Sequence, residues 1–376
     1  MSEARGNRIS NELGSGGPTL SGITTFSGLN YFVPPKGTTA ERPSNCPPGS
    51  IRFNTDSAHL EYFDGLQWLE FEAFNDELGV SGALGNRGLF GGGSQPSYVT
   101  YYNIIDYITI STLGNSLDFG DLTQIRHNLA SFSSSTRGVW SGGTQPGATY
   151  NIIDYVTISS TGNALDFGDL LSGFQGQREG HTGASNSTRG LWGGGYGSPV
   201  SINVIEYNTI ASTGNAVDFG DLTRGTRGPG GCSSSTRAVW GGGYAPGSTN
   251  IIDYVTISTT GNAADFGDLT ISRSFHASCS NSTRGLFVAG GNPATNVIDY
   301  ITIATTGNAQ DFGDYVVAYS GLSGCSSSTR GVFGGGGNDN IISYVTILTT
   351  GNALDFGDLY QGRTGLAACS NGHGGL

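Results

Sequence analysis

The chain has 376 residues, of which 64 are glycine, with a net charge of −12 and only 12% charged residues. The missing Gly-X-Y period excludes collagen, and the low charge content excludes a charge-rich disordered chain. One lysine (Lys36) and no basic run argue against nucleic acid as a partner, because neutralising phosphates needs clustered cations.

No apolar run reaches the roughly 18 residues of a membrane helix. The polar start MSEARGNRIS lacks the apolar core of a signal peptide. A soluble, β-type chain that is not exported by a standard route is expected, with neither membrane nor nucleic acid as partner.

Residues 1–72 do not repeat. SIRFN and HLEYF read as two alternating strands around the turn T-D-S-A, with Trp68 and Phe71 available to cover them. Prolines at 34, 35, 47 and 48 leave so short a segment little core of its own. Such a hairpin needs another copy or another protein to pack against. It is therefore expected to anchor or oligomerise the chain, with a trimer favoured, and residues 73–86 are read as a linker.

From there the chain repeats. D-F-G-D begins at Asp118, Asp166, Asp218, Asp265, Asp311 and Asp355, in steps of 48, 52, 47, 46 and 44. An arginine followed by a small and an apolar residue recurs at Arg87, Arg137, Arg189, Arg237, Arg284 and Arg330. Such a period lies in the range of four-stranded propeller blades.

Residues 228–269 display one unit. GPGGCSSS is strand a, AVWGGG strand b and NIIDYVTIS strand c, the last β-branched and aromatic throughout. TTGN is a turn supplying positive-φ positions, and AADFGDL is strand d. No stretch has helical apolar spacing. The expected fold is all-β, a six-bladed propeller over 87–376. Strand 365–373, GLAACSNG and its flank, matches strand a of the other units better than GVSGALGN does. It is expected to pair with 88–91 and close the ring, leaving no free edge.

A Gly-Gly doublet followed by an aromatic on strand c, as in Gly142-Gly143 with Tyr155 and Gly242-Gly243 with Tyr254, resembles the kelch repeat, with D-F-G-D where kelch usually has tryptophan. The longer phrase S-T-R-G-[VLF]-[WF]-G-G-G … I-D-Y-[IV]-T-I … T-G-N-A-x-D-F-G-D-L is similar to repeats in virion proteins of marine and cyanobacterial tailed bacteriophages. The ending C-S-N-G-H-G-G-L resembles the ends of those proteins, and the segment from YFVPP to WLEF resembles the hairpin module near the start of phage tail fibres. The resemblance spans residues 77–376. It implies a virion location after synthesis in the host cytoplasm, and other virion proteins as partners of residues 1–72.

The motifs that look chemical read as architecture. Six D-F-G copies without a strand lysine or an H-R-D loop are not a kinase. No D-x-D-x-D-G loop, H-x-H or H-E-x-x-H holds a metal, and the glycine triplets lack the lysine of a phosphate loop. Neither a catalytic set nor a cofactor is expected. The repeat arginines and the D-F-G-D aspartates are expected to pair as a ring of charge-assisted hydrogen bonds. Cys232, Cys279, Cys325 and Cys369 share one repeat position with Phe132 and Ala184, so they are expected as free, buried thiols, and Cys46 has no obvious partner.

Length varies on one face. From repeat arginine to aspartate the spans are 31, 29, 29, 28, 27 and 25, and from aspartate to the next arginine 19, 23, 19, 19 and 19. Both changes fall in the b–c and d–a connections, which share one face of a meandering sheet, and variable loops on a fixed scaffold are where binding tends to live. Those loops carry Tyr98, Tyr101, Tyr102, Tyr150, Tyr196 and Tyr244, the candidate ligand contacts, with Tyr101, Tyr102 and Tyr150 equally readable as the start of strand c. Two functions follow: a tail-fibre or other virion appendage that meets a host-surface glycan, or a structural virion component whose repeats contact other virion proteins. A cellular kelch adaptor is a distant third.

Overall fold

The computed structural model describes residues 34–57, 59–70, 86–95, 97, 99–171, 177–337 and 339–376. The chain divides into two compact units, residues 1–76 and 77–376. Among the described residues the fold is all-β, built of small sheets, with a single 3-10 turn at Thr39–Glu41. No helix among them is long and apolar enough to cross a membrane.

In the first unit the expected hairpin, Ile51–Asn54 with His59–Phe63, belongs to a four-stranded sheet. Trp68–Glu70 pairs antiparallel with the second strand, and Lys36–Gly37 runs parallel to the first. Its buried face is polar, which the alternation of apolar residues does not reveal. Glu61, fully buried, takes Arg42 at 2.7 Å and Arg52 at 3.4 Å. Trp68 packs at 5.5 Å from Phe63, whereas Phe71 lies outside the described residues. Ile51, Leu60 and Leu66 stay exposed.

The second unit holds six four-stranded antiparallel sheets among its described residues. A representative sheet is Gly230–Ser233, Arg237–Gly241, Thr249–Thr256 and Ala264–Arg273. Five sheets are continuous in sequence. In the sixth, Ala367–Ser370 pairs antiparallel with Arg87–Gly91, Cys369 opposite Leu89, and Ile104–Thr109 and Leu117–Asp121 follow. The counterpart segment at 78–85 lies outside the described residues.

Four sets of hydrogen bonds link each sheet to the next, and each set returns to its starting sheet. In the a strands, the hydroxyl of Ser133 donates to the carbonyl of Ser370, Ser185 to Ser133, Ser233 to Ser185, Ser280 to Ser233, Ser326 to Ser280 and Ser370 to Ser326, at 2.6–2.8 Å. Near the d–a connections, backbone N–H groups of Asn128, Gly180, Gly228, Phe275, Gly321 and Gly365 each donate to the preceding member, Asn128 to Gly365, at 2.6–2.8 Å.

At the outer seam, the second aspartate of D-F-G-D donates its N–H to the turn asparagine of the next sheet, as from Asp121 to Asn163 and, last, Asp358 to Asn115. The repeat arginines form the fourth set, through next-sheet isoleucine carbonyls.

The seam explains the glycine of D-F-G-D. Gly220 has φ +146°, and a Cβ there would stand 2.4 Å from the carbonyl oxygen of Gly261 in the neighbouring turn. Only glycine combines that backbone with that approach. Phe219 beside it is buried and meets Tyr207 edge-on at 5.9 Å.

The arginine–aspartate ring read from the repeats does not form. Arg87, Arg137, Arg189, Arg237, Arg284 and Arg330 lie 4.6–4.9 Å over Tyr107, Tyr155, Tyr207, Tyr254, Tyr300 and Tyr344 of their own c strands. Their N–H groups donate to carbonyls such as Ile158 and Ile110 at 2.8–3.1 Å. Asp118, Asp166, Asp218, Asp265, Asp311 and Asp355 are exposed on the d strands. An exposed carboxylate keeps its hydration, so nothing draws it to a guanidinium already stacked and bonded.

The cysteine slot is a packing slot. Cys232, Cys279, Cys325 and Cys369 are buried and free, and Cys46 is half-buried and free. Burial pushes the Cys232 and Cys369 thiols up to about 12, so they are protonated and unreactive. Each side chain at this position faces the residue after the repeat arginine in the next sheet, where a Cβ on Gly190 would stand 2.2 Å from the Phe132 ring. Where the slot holds the small Ala184, that neighbour is Ala238, in the same apolar cluster.

Candidate functional site

On the face of the b–c and d–a connections, one residue in five of the six d–a segments bridges to a b–c loop of the following sheet. The bridges are Thr364 with Ser94, His127 with Thr144, Glu179 with Tyr196, Arg227 with Tyr244 and Ser274 with Gly291. The next residue inward belongs to the backbone cycle of Asn128, Gly180, Gly228, Phe275, Gly321 and Gly365. All six have positive φ, from 52° to 74°. A cavity of about 100 Å³, lined by these six and by residues of the a strands, lies within the cycle.

The scaffold repeats, but this face does not. At the equivalent position three consecutive d–a segments carry the small Ser274, Ser320 and Thr364. His127, Glu179 and Arg227 occupy the other three, with Tyr196 and Tyr244 opposite the last two. Phe275 departs furthest from its equivalents. It holds φ +52° where four of the six members are glycine, a strained backbone for a bulky residue. Its ring lies against Gly228, where a Cβ would meet it at 2.8 Å. Strain kept by the surrounding structure is a pointer to function.

The six candidate tyrosines fare differently. Tyr98 lies outside the described residues. Tyr101 is half-buried, edge-on to His127 at 5.0 Å. Tyr102 belongs to the core instead of the surface: it is 8% exposed, and its hydroxyl accepts from Gln361 Nε2 at 2.6 Å. Tyr150 is half-buried in the loop just before strand c, which is Ile152–Thr157, with its N–H on the Gly143 carbonyl. Tyr196 and Tyr244 come together, each ring centroid 5.1 Å from the Arg227 guanidinium, and Phe275 stands at 6.0 Å.

Sequence reading missed the charges beneath this face. Arg126, Arg178 and Arg363 in the d–a connections, and Arg273 at the end of its d strand, are fully buried and pair with Asp154, Glu206, Asp106 and Asp299, in that order, on strand c of the next sheet. The contacts measure 2.7 Å for Arg126–Asp154 and 2.9 Å for Arg363–Asp106. Thr123 and Thr223 reinforce the scheme by donating to Asp154 and Asp253. A signal did exist: the equivalent arginine position holds Tyr319 in the one linker whose following strand c carries Ser343 instead of an acid. Among the described residues no group of three or more His, Cys, Asp or Glu could hold a metal ion.

Burial, with repulsion from nearby Arg178 and Arg273, holds His181 and His276 well below the ordinary imidazole value of 6.5. The unfolded chain takes up both protons below that value and the folded chain does not. Stability should therefore fall as pH drops below about 6.5, by up to about 1.4 kcal/mol per pH unit for each histidine. Urea midpoints measured between about pH 7 and pH 5.5 check this; a midpoint that rises on acidification would contradict neutral, buried imidazoles.

No family model matches the chain, and no curated protein matches it.

Proposed function

We propose that residues 87–376 form a closed, kelch-like six-bladed propeller, and that the protein is a structural component of a tailed-bacteriophage virion, made in the host cytoplasm. Its place is a tail fibre or another tail, baseplate or neck appendage, and the propeller meets a glycan of the host surface. Supporting the propeller are the six alike sheets and the four sets of hydrogen bonds that return to their starting sheet. Supporting the virion is the long phrase repeated through residues 77–376. The exposed Ile51, Leu60 and Leu66 on so small a unit suit an anchoring role for residues 1–72, in contact with other virion proteins or other copies of the chain.

One observation carries the host-contact reading. The side chains that break the repeat gather at adjacent junctions of a single face, while the four cyclic sets of hydrogen bonds run through all six sheets. A contact that served only construction of the scaffold has no need of that asymmetry. Binding at one such site is weak and gains strength from many copies on a particle.

Particles carrying Tyr101→Ala, Tyr196→Ala and Tyr244→Ala together should assemble normally and adsorb to host cells about tenfold more slowly. Normal adsorption of those particles, or a particle map with this face buried against another virion protein, would assign the propeller to particle construction instead.

A further inference from the structure

Residues 86–376 contain twelve arginines. Six stack on tyrosines and donate to isoleucine carbonyls. Four are buried against carboxylates. Arg224, whose Nε is buried without a partner, sits in the field of Asp253 and Asp268 and has no aromatic ring around it among the described residues. That leaves Arg227.

Among the described residues the Arg227 side chain has no carboxylate or carbonyl acceptor, and its Nε is buried without one. Three aromatic rings surround it, those of Tyr196, Tyr244 and Phe275. The Tyr196 and Tyr244 hydroxyls likewise have no hydrogen-bond partner among the described residues. The backbone beneath is held by reciprocal bonds between Arg227 and Tyr244, at 3.1 and 2.8 Å. Glu179, the nearest acid in the junction series, turns its carboxylate to the side-chain amide of Asn128 at 3.2 Å.

We propose that Arg227, with Tyr196, Tyr244 and Phe275, binds the carboxylate of an acidic sugar, a hexuronate or similar unit of a surface glycan. The inference rests on the glycan reading above and names the class of sugar.

The guanidinium is a planar fork that matches a carboxylate through two parallel hydrogen bonds. Aromatic rings around it limit its motion and exclude water, which strengthens the bond. The two tyrosine hydroxyls supply donors and acceptors for ring hydroxyls. The Phe275 ring, kept in place at the expense of a strained backbone, supplies an apolar surface for the C–H face of a sugar. A single guanidinium in a chain of net charge −12 matches one negative charge and not a polyanion. At the equivalent positions the other linkers carry His127, Glu179, Ser274, Ser320 and Thr364, so the site occurs once per chain.

The test titrates the full-length protein with a glucuronate-containing oligosaccharide, its carboxyl-reduced neutral form, and a sulfated neutral oligosaccharide of the same length. The acidic form should bind with a millimolar constant, at least about tenfold tighter than the other two. Arg227→Gln should abolish that preference, so that acidic and neutral forms bind alike. Arg227→Lys, which keeps the charge and loses the fork, should recover only part of it. If Arg227→Gln fails to fold, Arg227→Lys carries the test alone, and a full preference in that variant overturns the carboxylate site, while Tyr244→Phe should weaken the acidic and neutral forms alike, about two- to fivefold.

Equal binding of acidic and neutral forms, preference for the sulfated form, or a preference that survives Arg227→Gln overturns the carboxylate site while the glycan reading stands. No binding of any oligosaccharide overturns both.

Discussion

A chain that ends at Arg363 is expected to be unfolded or insoluble under conditions where the full chain folds. The deletion removes Ala367–Ser370, the only partner of Arg87–Gly91 on that side among the described residues. It uncovers Leu89, Phe90 and Trp140, which Leu366, Ala367 and Cys369 help to bury. It breaks the serine cycle at Ser326 and Ser133, and it withdraws the tail in which His373 and Gly374 bond to the Ser133 and Ser280 carbonyls.

One buried leucine contributes about 1.5–3 kcal/mol and each hydrogen bond about 1 kcal/mol. The losses together reach the order of 5–10 kcal/mol, comparable with the whole stability of a domain. The open strand edge adds a route to aggregation. Thermal unfolding of the soluble fraction decides it: a truncated chain that melts within about 3 °C of the full chain would show that Ala367–Ser370 is dispensable.

Asp154→Ala should cost about 3–5 kcal/mol, the usual consequence of leaving one member of a buried ion pair alone. Arg126 is fully buried, and without Asp154 its side chain retains only the Ile152 carbonyl, at 3.2 Å. The double variant Arg126→Met with Asp154→Leu should recover most of that loss, because removing both charges also removes the cost of burying them. Urea unfolding of the two singles and the double gives the coupling. Singles that cost under about 1 kcal/mol would mean that water reaches the pair. The chain itself contains a comparable exchange, since the linker bearing Tyr319 precedes the strand with Ser343.

How much of this was legible beforehand depends on how local the physics is. Strand c, with its run of β-branched and aromatic residues, declares itself, as does the Gly-Asn turn after it, because both depend on neighbouring residues and backbone preference. The cysteine slot was readable as packing because its substitutes, Phe132 and Ala184, are apolar. The buried pairs were not read, since Arg126 and Asp154 are 28 residues apart, one in a d–a connection and the other on a strand c. The aspartates of D-F-G-D drew attention by their repetition, yet their motif matters through its glycine and its backbone N–H, groups that carry no signature in a list of charges.

The site shows the same division. Variable length singled out the b–c and d–a connections and could not say which of their tyrosines face solvent. Tyr101 and Tyr102 are adjacent in sequence and belong to opposite environments, because successive side chains of an extended segment point to opposite sides.

By itself, the sequence determined the all-β character, the number of repeating units, the four-strand composition of each unit and the free state of the buried thiols, since each follows from period, side-chain shape or spacing. Only the tertiary structure decided which arginine meets which acceptor. It alone brought Tyr196, Arg227, Tyr244 and Phe275 from four separate connections to one place. Those choices depend on how neighbouring sheets are set against each other, and on the cost of burying a charge without a partner. Neither quantity exists along a chain until the sheets are packed.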